Sequence, residues 1–159
     1  MVRMPTFGLK CVPINRFQVS MSIHRLAFGS SIAHCGALRR CVQAFGRTEG
    51  YGSDFIPVLE LAVHEAFVNA VSHANGSEPA LPVSILLRDC MDGGRRILQV
   101  DVADCGSGFN IDSPLDFSDA GDTRRLSGRG LPLISRQTQS VRVEQRNGGS
   151  VLILRYIAV

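Results

Sequence analysis

The stretch HEAFVNAVSHANG, residues 64–76, has the pattern of an apolar helix that carries one row of polar side chains. Glu65, Asn69 and His73 recur every four residues, so at about 100° per residue they fall within about 80° of one another. The apolar side chains of the same helix cluster from about 100° to about 200° away from Glu65. The polar row therefore borders the core-facing stripe, where side chains face the rim of a cavity.

Two interpretations of this polar row stay open when the helix is considered alone. Polar residues at helical spacing are common on surfaces, so an ordinary solvated helix edge accounts for the row. Alternatively, a carboxylate can orient a water or accept a proton, an amide oxygen suits Mg²⁺, and a histidine can bond a phosphate or cap the helix end. A zinc site is disfavoured because His64 and His73 lie on different faces and no third ligand is evident.

The composition is that of one globular domain. The chain has 159 residues, of which 45% are hydrophobic and 19% charged, with a net charge of +3. Its arginine pairs, at 39–40, 95–96 and 124–125, lie far apart in sequence. The basicity is therefore diffuse and does not indicate a nucleic-acid partner.

Cysteine usage and hydropathy favour the cytoplasm. The five cysteines are odd in number and form no Cys-x-x-Cys pair, which favours reduced thiols over a disulfide framework or a zinc site. No apolar run approaches the roughly 20 residues of a membrane-spanning helix. The first residues are interrupted by proline and do not resemble a signal peptide. We therefore expect a cytoplasmic protein without a membrane span.

Periodicity and turn residues divide the chain into an irregular arm, residues 1–15, and a single domain, residues 16–159. The patterns predict, in order, a strand at 17–23, a helix from about 30 to 45 closed by Gly46, a helix from 53 or 54 to about 74, strands at 82–90 and 95–104, a short helix at 130–138, and strands at 140–146 and 149–157. This order favours a two-layer α/β (α+β) sandwich, in which helices cover one face of a mixed, mostly antiparallel sheet.

A second motif, DCGSGF, directly follows an apolar strand. Asp104 ends that strand, so its carboxylate can point into a cleft beside the sheet, and Gly106 and Gly108 let a ligand approach the backbone closely. A plain turn is the simpler explanation when the motif is taken alone. It is not a Rossmann fingerprint, because the third glycine is missing and no parallel crossover follows, and the chain has no G-x-x-x-x-G-K-[ST] loop.

A third motif, SGRGL, follows a polar, glycine-containing loop at residues 110–127. A loop of this length inside a compact domain is usually functional or mobile. Gly128 and Gly130 at the start of a helix leave its N–H groups open to an anion, and Arg129 adds positive charge. Taken singly, the motif is explained equally well by a flexible hinge.

Together, and in this order, the three motifs resemble the GHKL ATPase superfamily, which includes histidine kinases, DNA gyrase and related ATPases. More narrowly, the chain is similar to the bacterial anti-sigma factor serine kinases over roughly residues 17–156. The most specific segments are LAVHEAFVNAVSHA, the run GRGL with the Leu-Ile that follows it, and the ending NGGSVLILRY. The resemblance implies a Bergerat-type ATP-binding fold that uses ATP and Mg²⁺.

For the helix motif, the resemblance implies a role for each member of the polar row. Glu65 would be the catalytic carboxylate, which promotes attack by a protein hydroxyl on the γ-phosphate. Asn69 would coordinate the Mg²⁺ that bridges the ATP phosphates. His73 matches the helix-end histidine of this subgroup and is expected on the phosphate side of the nucleotide pocket, although a helix-capping role explains it equally well.

For the two glycine motifs, the resemblance implies the rest of a nucleotide site. Asp104 would accept a hydrogen bond from the exocyclic amine of adenine, while Gly106 and Gly108 would let the chain pass close to the nucleotide. Residues 110–127 would form the ATP lid. The segment after the lid would meet the phosphates through four residues: Gly128, Arg129, Gly130 and Leu131.

The function implied is that of an anti-sigma factor that sequesters a sigma factor and phosphorylates a STAS-domain anti-anti-sigma protein on serine or threonine. A homodimer is expected, with partners docking near residues 16–40 and with no direct nucleic-acid or membrane contact. The alternative is a non-catalytic module in which ATP only switches a partner-binding surface. A histidine kinase is disfavoured because the chain has no room for separate dimerisation helices, and a DNA-binding function has no supporting motif. Pro132, and residues 136–140, which lack a common acidic residue, depart from the family pattern and bear on partner identity.

Overall fold

The structure, a computed structural model, describes residues 18–106, 138–146 and 148–157. Its strands are β1 (Gln18–Gly29), β2 (Pro82–Asp92), β3 (Arg95–Ala103), β4 (Ser140–Arg146) and β5 (Gly149–Ile157), and its helices are α1 (Cys35–Thr48) and α2 (Phe55–Asn69). A 3₁₀ turn, Ile32–His34, precedes α1, and a π-helical turn, Ala70–Ala74, continues α2. The strand order is β1-β2-β3-β5-β4, and each described pair is antiparallel.

The core lies between the two helices and one face of this sheet. Helix and strand side chains form one buried cluster, whose largest members are Tyr156, Phe67, Leu38, Leu59, Ile85, Leu87, Leu98 and Leu154. The predicted two-layer α+β sandwich is confirmed, and the described part of the sheet is antiparallel throughout. The predicted arm, the loop at 110–127 and the short helix lie outside the described residues, apart from Thr138 at the end of that helix.

The β2–β3 hairpin was predicted from alternation and from the glycines between the strands. Gly93 and Gly94 have φ values of 57° and 79°, the left-handed conformation that a tight two-residue hairpin turn requires at both positions. The register follows, with Asp92 opposite Arg95 and Leu87 opposite Val100. Side chains of both strands alternate between the core and the outer face as a result.

The first strand is longer than predicted. The sequence pattern indicated residues 17–23, whereas β1 extends to Gly29. The alternation continues through the basic pair His24-Arg25, because Leu26 and Phe28 pack against the core while Arg25 is exposed. His24 is accommodated on the helix side by a 2.8 Å hydrogen bond between its Nε2 and Glu49 Oε1.

Helix α1 does not end at Gly46, so the predicted stop is wrong. The helix continues to Thr48, and Gly46 is buried within it. A Cβ on this residue would come within 2.7 Å of Ile56 Cγ1 in α2. The glycine therefore allows the two helices to approach each other closely, rather than ending the first of them.

Helix α2 confirms the predicted segment and forms the centre of the core. Leu59, Val63, Phe67 and Val71 are each 0% exposed. The expectation that no apolar run approaches the length of a membrane span is wrong, because the segment Phe55–Ala74 is long and apolar enough to cross a membrane by length and composition. Packing of this helix against the sheet accounts for its apolar character.

A buried ion pair fastens the α1–α2 connection to the β2–β3 hairpin. Asp89 is 0% exposed, and its Oδ2 accepts a hydrogen bond of 3.0 Å from Arg96 Nε. The Arg96 guanidinium also lies 4.3 Å from the centre of the Tyr51 ring and donates to the Glu49 carbonyl. Burial, together with the nearby Asp89 carboxylate, raises the pKa of Tyr51 above its usual value, so the phenol stays neutral beside the ion pair.

We expect Gly46→Ala to lower the free energy of unfolding by about 1–2 kcal/mol, because the new methyl group overlaps Ile56 in a packed interface. The matched control is Gly36→Ala in the same helix, where the added Cβ meets only Arg40 Nη1 at 3.7 Å. Alanine is the better helix former, so the control should be neutral or stabilising. Urea unfolding followed by circular dichroism measures both variants, and equal effects would contradict the close approach of α1 and α2.

Candidate functional site

The polar row of α2 starts as the sequence predicts. Glu65 and Asn69 lie four residues apart in regular α-helix, and each is half-buried. They therefore share one edge of the helix, beside the buried residues Ala66 and Ala70. This placement agrees with side chains at the rim of the core rather than on a fully solvated edge.

The third member of the row, His73, follows a different geometry. Asn69 is the last α-helical residue, and Ala70–Ala74 form a wider π-helical turn in which the Asn75 N–H donates to the Ala70 carbonyl at 2.9 Å. Projection at 100° per residue therefore does not extend past Asn69, and His73 is exposed on this turn. Single π-helical turns inside α-helices are frequent at functional sites.

The Asp104 carboxylate, next along the chain after β3, is held by β5. Its Oδ2 accepts a 2.8 Å hydrogen bond from Ser150 Oγ, and its Oδ1 accepts from the N–H groups of Gly106 at 3.0 Å and Ser150 at 3.3 Å. The Asp104 N–H in turn donates to the Ser150 carbonyl at 3.0 Å. Ser150 was not predicted as a site residue, although it lies in the family-like ending NGGSVLILRY.

Two glycines bring this carboxylate and the end of α2 together. A Cβ on Gly106 would lie 2.4 Å from the Ala74 carbonyl oxygen, and one on Gly149 would lie 1.8 Å from that of Asp104. Real Cβ atoms do not approach a carbonyl so closely, so both positions need glycine for protein packing alone. The predicted role of Gly106 in letting the main chain pass close to a nucleotide stays a prediction.

Asn75, read in the sequence only as part of a helix stop, is a second residue that the analysis missed. Its side chain is buried at 4% exposure and hydrogen bonds to the ends of three segments. Because an Asn-Gly pair after a helix is an ordinary stop signal, its pattern carried no indication of these contacts. The remaining predicted site residues, Gly108, Gly128, Arg129, Gly130 and Leu131, lie outside the described residues.

Partners from the described residues occupy all but one of the acceptor positions of the fixed carboxylate. An ionised carboxylate offers about four lone-pair sites, and Asp104 fills three of them with the Gly106 N–H and with the N–H and hydroxyl of Ser150. Asp104 is only half-buried, and its fourth acceptor site lies on Oδ2. Chemically, this suits an N–H donor such as the exocyclic amine of a purine.

Within the described residues, no group of three or more His, Cys, Asp or Glu side chains could hold a metal ion by itself.

Ser150→Ala is expected to lower the free energy of unfolding by about 1.5–3 kcal/mol, because it removes a buried hydrogen bond to an ionised group. Ser84→Ala, on the exposed side of β2, is the matched control and should change stability by about 0.5 kcal/mol or less. Chemical denaturation measures the difference between the two variants. Equal stabilities would show that the hydroxyl does not hold Asp104.

Comparison with known proteins relates this geometry to a family. Residues 28–156 match the histidine kinase-like ATPase domain. The serine-protein kinases RsbW of Bacillus velezensis and Bacillus subtilis are 31% and 32% identical over 130 residues, which cover 78% of this chain and 79% of each relative.

Among solved structures, the RsbU and RsbW domains of a Mycobacterium tuberculosis protein match with a TM-score of 0.58 at 16% identity. The match covers 86% of this chain and 32% of that one, so this chain spans about a third of the solved structure and shares its fold. The order of the sequence motifs, the two-layer sandwich and the residues matched by the family all agree with one family assignment. The chain belongs to the histidine kinase-like ATPase domain family, among the GHKL-type anti-sigma factor serine kinases.

Proposed function

We infer that this protein binds Mg-ATP and transfers the γ-phosphate to a serine or threonine of a partner protein. The observation that carries the inference is the Asp104 carboxylate, which is fixed by Ser150 and keeps one acceptor position for a ligand. The similarity to proteins named serine-protein kinases supports the reaction class.

Recognition of the base follows from the chemistry of that acceptor. Adenine presents an exocyclic amine, which donates a hydrogen bond, whereas guanine presents a carbonyl oxygen at the same position. A carboxylate accepts the first and repels the second, so Asp104 favours ATP over GTP. The Ser150 hydroxyl already donates to Oδ2, and this keeps the carboxylate in one orientation before the nucleotide arrives.

The phosphates are assigned to the end of α2. Asn69 would hold Mg²⁺ through its amide oxygen, and the bound metal would neutralise the charge of the phosphates. Glu65 lies one helical turn earlier on the same edge, within reach of the group that attacks the γ-phosphate. His73, Gly108 and the segment from Gly128 to Leu131 complete the phosphate side in this proposal.

Phosphoryl transfer needs little covalent chemistry from the protein. Positioning of the nucleophile and stabilisation of charge on the transferred group supply most of the rate. In this proposal Glu65 orients the attacking hydroxyl and accepts its proton, while Asn69 holds the metal that neutralises the phosphate charge. A module that only binds ATP has no need of the Glu65 carboxylate.

The partners belong to the same proposal. A protein of this group would sequester a sigma factor and phosphorylate a STAS-domain anti-anti-sigma protein, as a homodimer in the cytoplasm without contact to nucleic acid or membrane. The names of the relatives support the kinase reaction, and the partner assignments rest on the family resemblance.

Nucleotide binding is tested by titrating Mg-ATP against Asp104→Asn and Asn69→Ala. Loss of a hydrogen bond to a charged group costs about 1.5–3 kcal/mol, so Asp104→Asn should weaken ATP binding about 10- to 100-fold. Asn69→Ala should weaken binding in Mg²⁺ and have little effect in EDTA. Asp92→Asn, on the opposite end of β2, is the control and should bind as wild type does. If both site variants bind as tightly as wild type, the site assignment is wrong.

Kinase activity is tested with γ-labelled ATP and STAS-domain proteins from the same genome. Removing a general base costs roughly 10²- to 10⁴-fold in rate, so Glu65→Gln should lose transfer by that factor while binding ATP at least as tightly as wild type. Glu60→Gln is the matched control, because Glu60 pairs with Arg39 and Gln43 on a different edge of the same helix. A wild-type protein that binds ATP and transfers no phosphate to any of them would favour the non-catalytic binding module.

A further inference from the structure

We propose that Asn75 is a positioning residue that fixes the base-recognition turn, residues 104–106, against the end of α2. In this proposal its carboxamide determines where the Asp104 carboxylate points, without touching the nucleotide itself. The identity of the base rests on the function proposed above. The tether itself is a property of this chain that can be measured without any nucleotide.

The Asn75 side chain is buried and makes three hydrogen bonds. Its Nδ2 donates to Ser30 Oγ at 2.7 Å and to the Pro82 carbonyl at 3.2 Å, and its Oδ1 accepts from the Cys105 N–H at 2.8 Å. Both amide hydrogens and one oxygen lone pair are therefore in use. Ser30 lies just beyond the end of β1, Pro82 begins β2, and Cys105 follows Asp104 directly.

Ser30, which accepts a hydrogen bond from the Asn75 side chain, is itself held in place by the residue that precedes β2. Ser30 Oγ donates to the Leu81 carbonyl at 2.7 Å, and the Ser30 N–H donates to the same carbonyl at 3.0 Å. Ser30 is 0% exposed, so its hydroxyl is locked in one orientation and presents a lone pair to Asn75. The carboxamide thus runs from a rigid corner of the sheet to the turn that follows β3.

The hydrogen bond from the Cys105 N–H to Asn75 restrains the neighbouring residue Asp104, which is proposed to recognise the base. The peptide that carries the Cys105 N–H begins at the Asp104 carbonyl carbon, so holding this N–H limits rotation next to the Asp104 side chain. Ser150 restrains the same carboxylate from β5. Asp104 is therefore held from two sides, by β5 and by the residue that follows the π-helical turn.

An amide is the only common side chain of this size that satisfies both sides. Asn75→Asp keeps an acceptor for the Cys105 N–H, but it loses both donors and faces the Pro82 carbonyl with a negative charge. Asn75→Ala loses the donors and the acceptor together. The two variants therefore separate general stability from the restraint on the turn.

The decisive readout is the preference for ATP over purine riboside 5′-triphosphate, which lacks the 6-amino group. Wild type should prefer ATP by about tenfold or more, since only ATP donates to Asp104. Asn75→Ala should reduce this preference at least fivefold, with most of the loss in ATP affinity. Asn75→Asp, which retains the acceptor for Cys105, should lose stability yet keep more of the preference than Asn75→Ala.

Ser30→Ala is the matched control, because it removes the anchor and leaves the bond from the Cys105 N–H to Asn75. It should lower the midpoint of urea unfolding while keeping the ATP preference within about twofold of wild type. If Asn75→Ala lowers stability as Ser30→Ala does and keeps the full preference, Asn75 is a structural residue only and the proposal is wrong.

Amide hydrogen exchange at Cys105 tests the tether independently of ATP. The Cys105 N–H should be protected in wild type and in Ser30→Ala and should exchange at least tenfold faster in Asn75→Ala. Equal exchange in wild type and Asn75→Ala would overturn the proposal, whatever the protein binds. Conversely, faster exchange in Asn75→Ala together with no ATP preference in wild type would uphold the tether and reject the proposed role of Asp104 in base recognition.

Discussion

Three main-chain segments pack directly against one another at the turn after β3: the turn itself, the π-helical turn that follows α2, and the start of β5. Gly106 lies against the Ala74 carbonyl at the end of α2, and Gly149 at the start of β5 lies against the Asp104 carbonyl. A side chain at either glycine would push these segments apart. The chemistry at this end of the domain therefore depends on close packing of main chain, to which the polar side chains are then fitted.

The consequence of this packing is a carboxylate whose orientation is set before any ligand binds. Ser150 holds Asp104 through its hydroxyl and its N–H, and the segment that contains Ala74 begins directly after Asn69. The segments to which we assign the base and the phosphates are thus joined by one short, hydrogen-bonded turn. Preorganisation of this kind is what phosphoryl transfer asks of a protein, because positioning and fixed charge supply most of the catalysis.

Sequence patterns predicted what depends on local periodicity and missed what depends on tertiary contact. Both described hairpins, the helix α2 and the α+β layering followed from alternation, glycine turns and a 3.6-residue period. Gly46 was misread because glycine usually ends a helix, whereas here it admits Ile56 of the neighbouring helix. Asn75 and Asp89 look like surface residues in sequence. Asn75 is buried because Ser30 and Cys105, far away along the chain, bind its side chain. Asp89 is buried with Arg96, which packs on Tyr51 and donates to the Glu49 carbonyl of the α1–α2 connection.

The choice between an enzyme and a binding module turns on the energetic effect of Glu65. This carboxylate is half-buried on the same helix edge as Asn69, the residue assigned to the metal that accompanies the phosphates. With the phosphates at the proposed position, a negative charge on Glu65 would repel the triphosphate and weaken ground-state binding of ATP. A protein that used ATP only to switch its shape would bind the nucleotide better with a neutral side chain there. An enzyme, in contrast, would benefit from the Glu65 carboxylate, because it can accept the proton that the attacking hydroxyl loses in the transition state. Interactions that form only in the transition state accelerate the reaction.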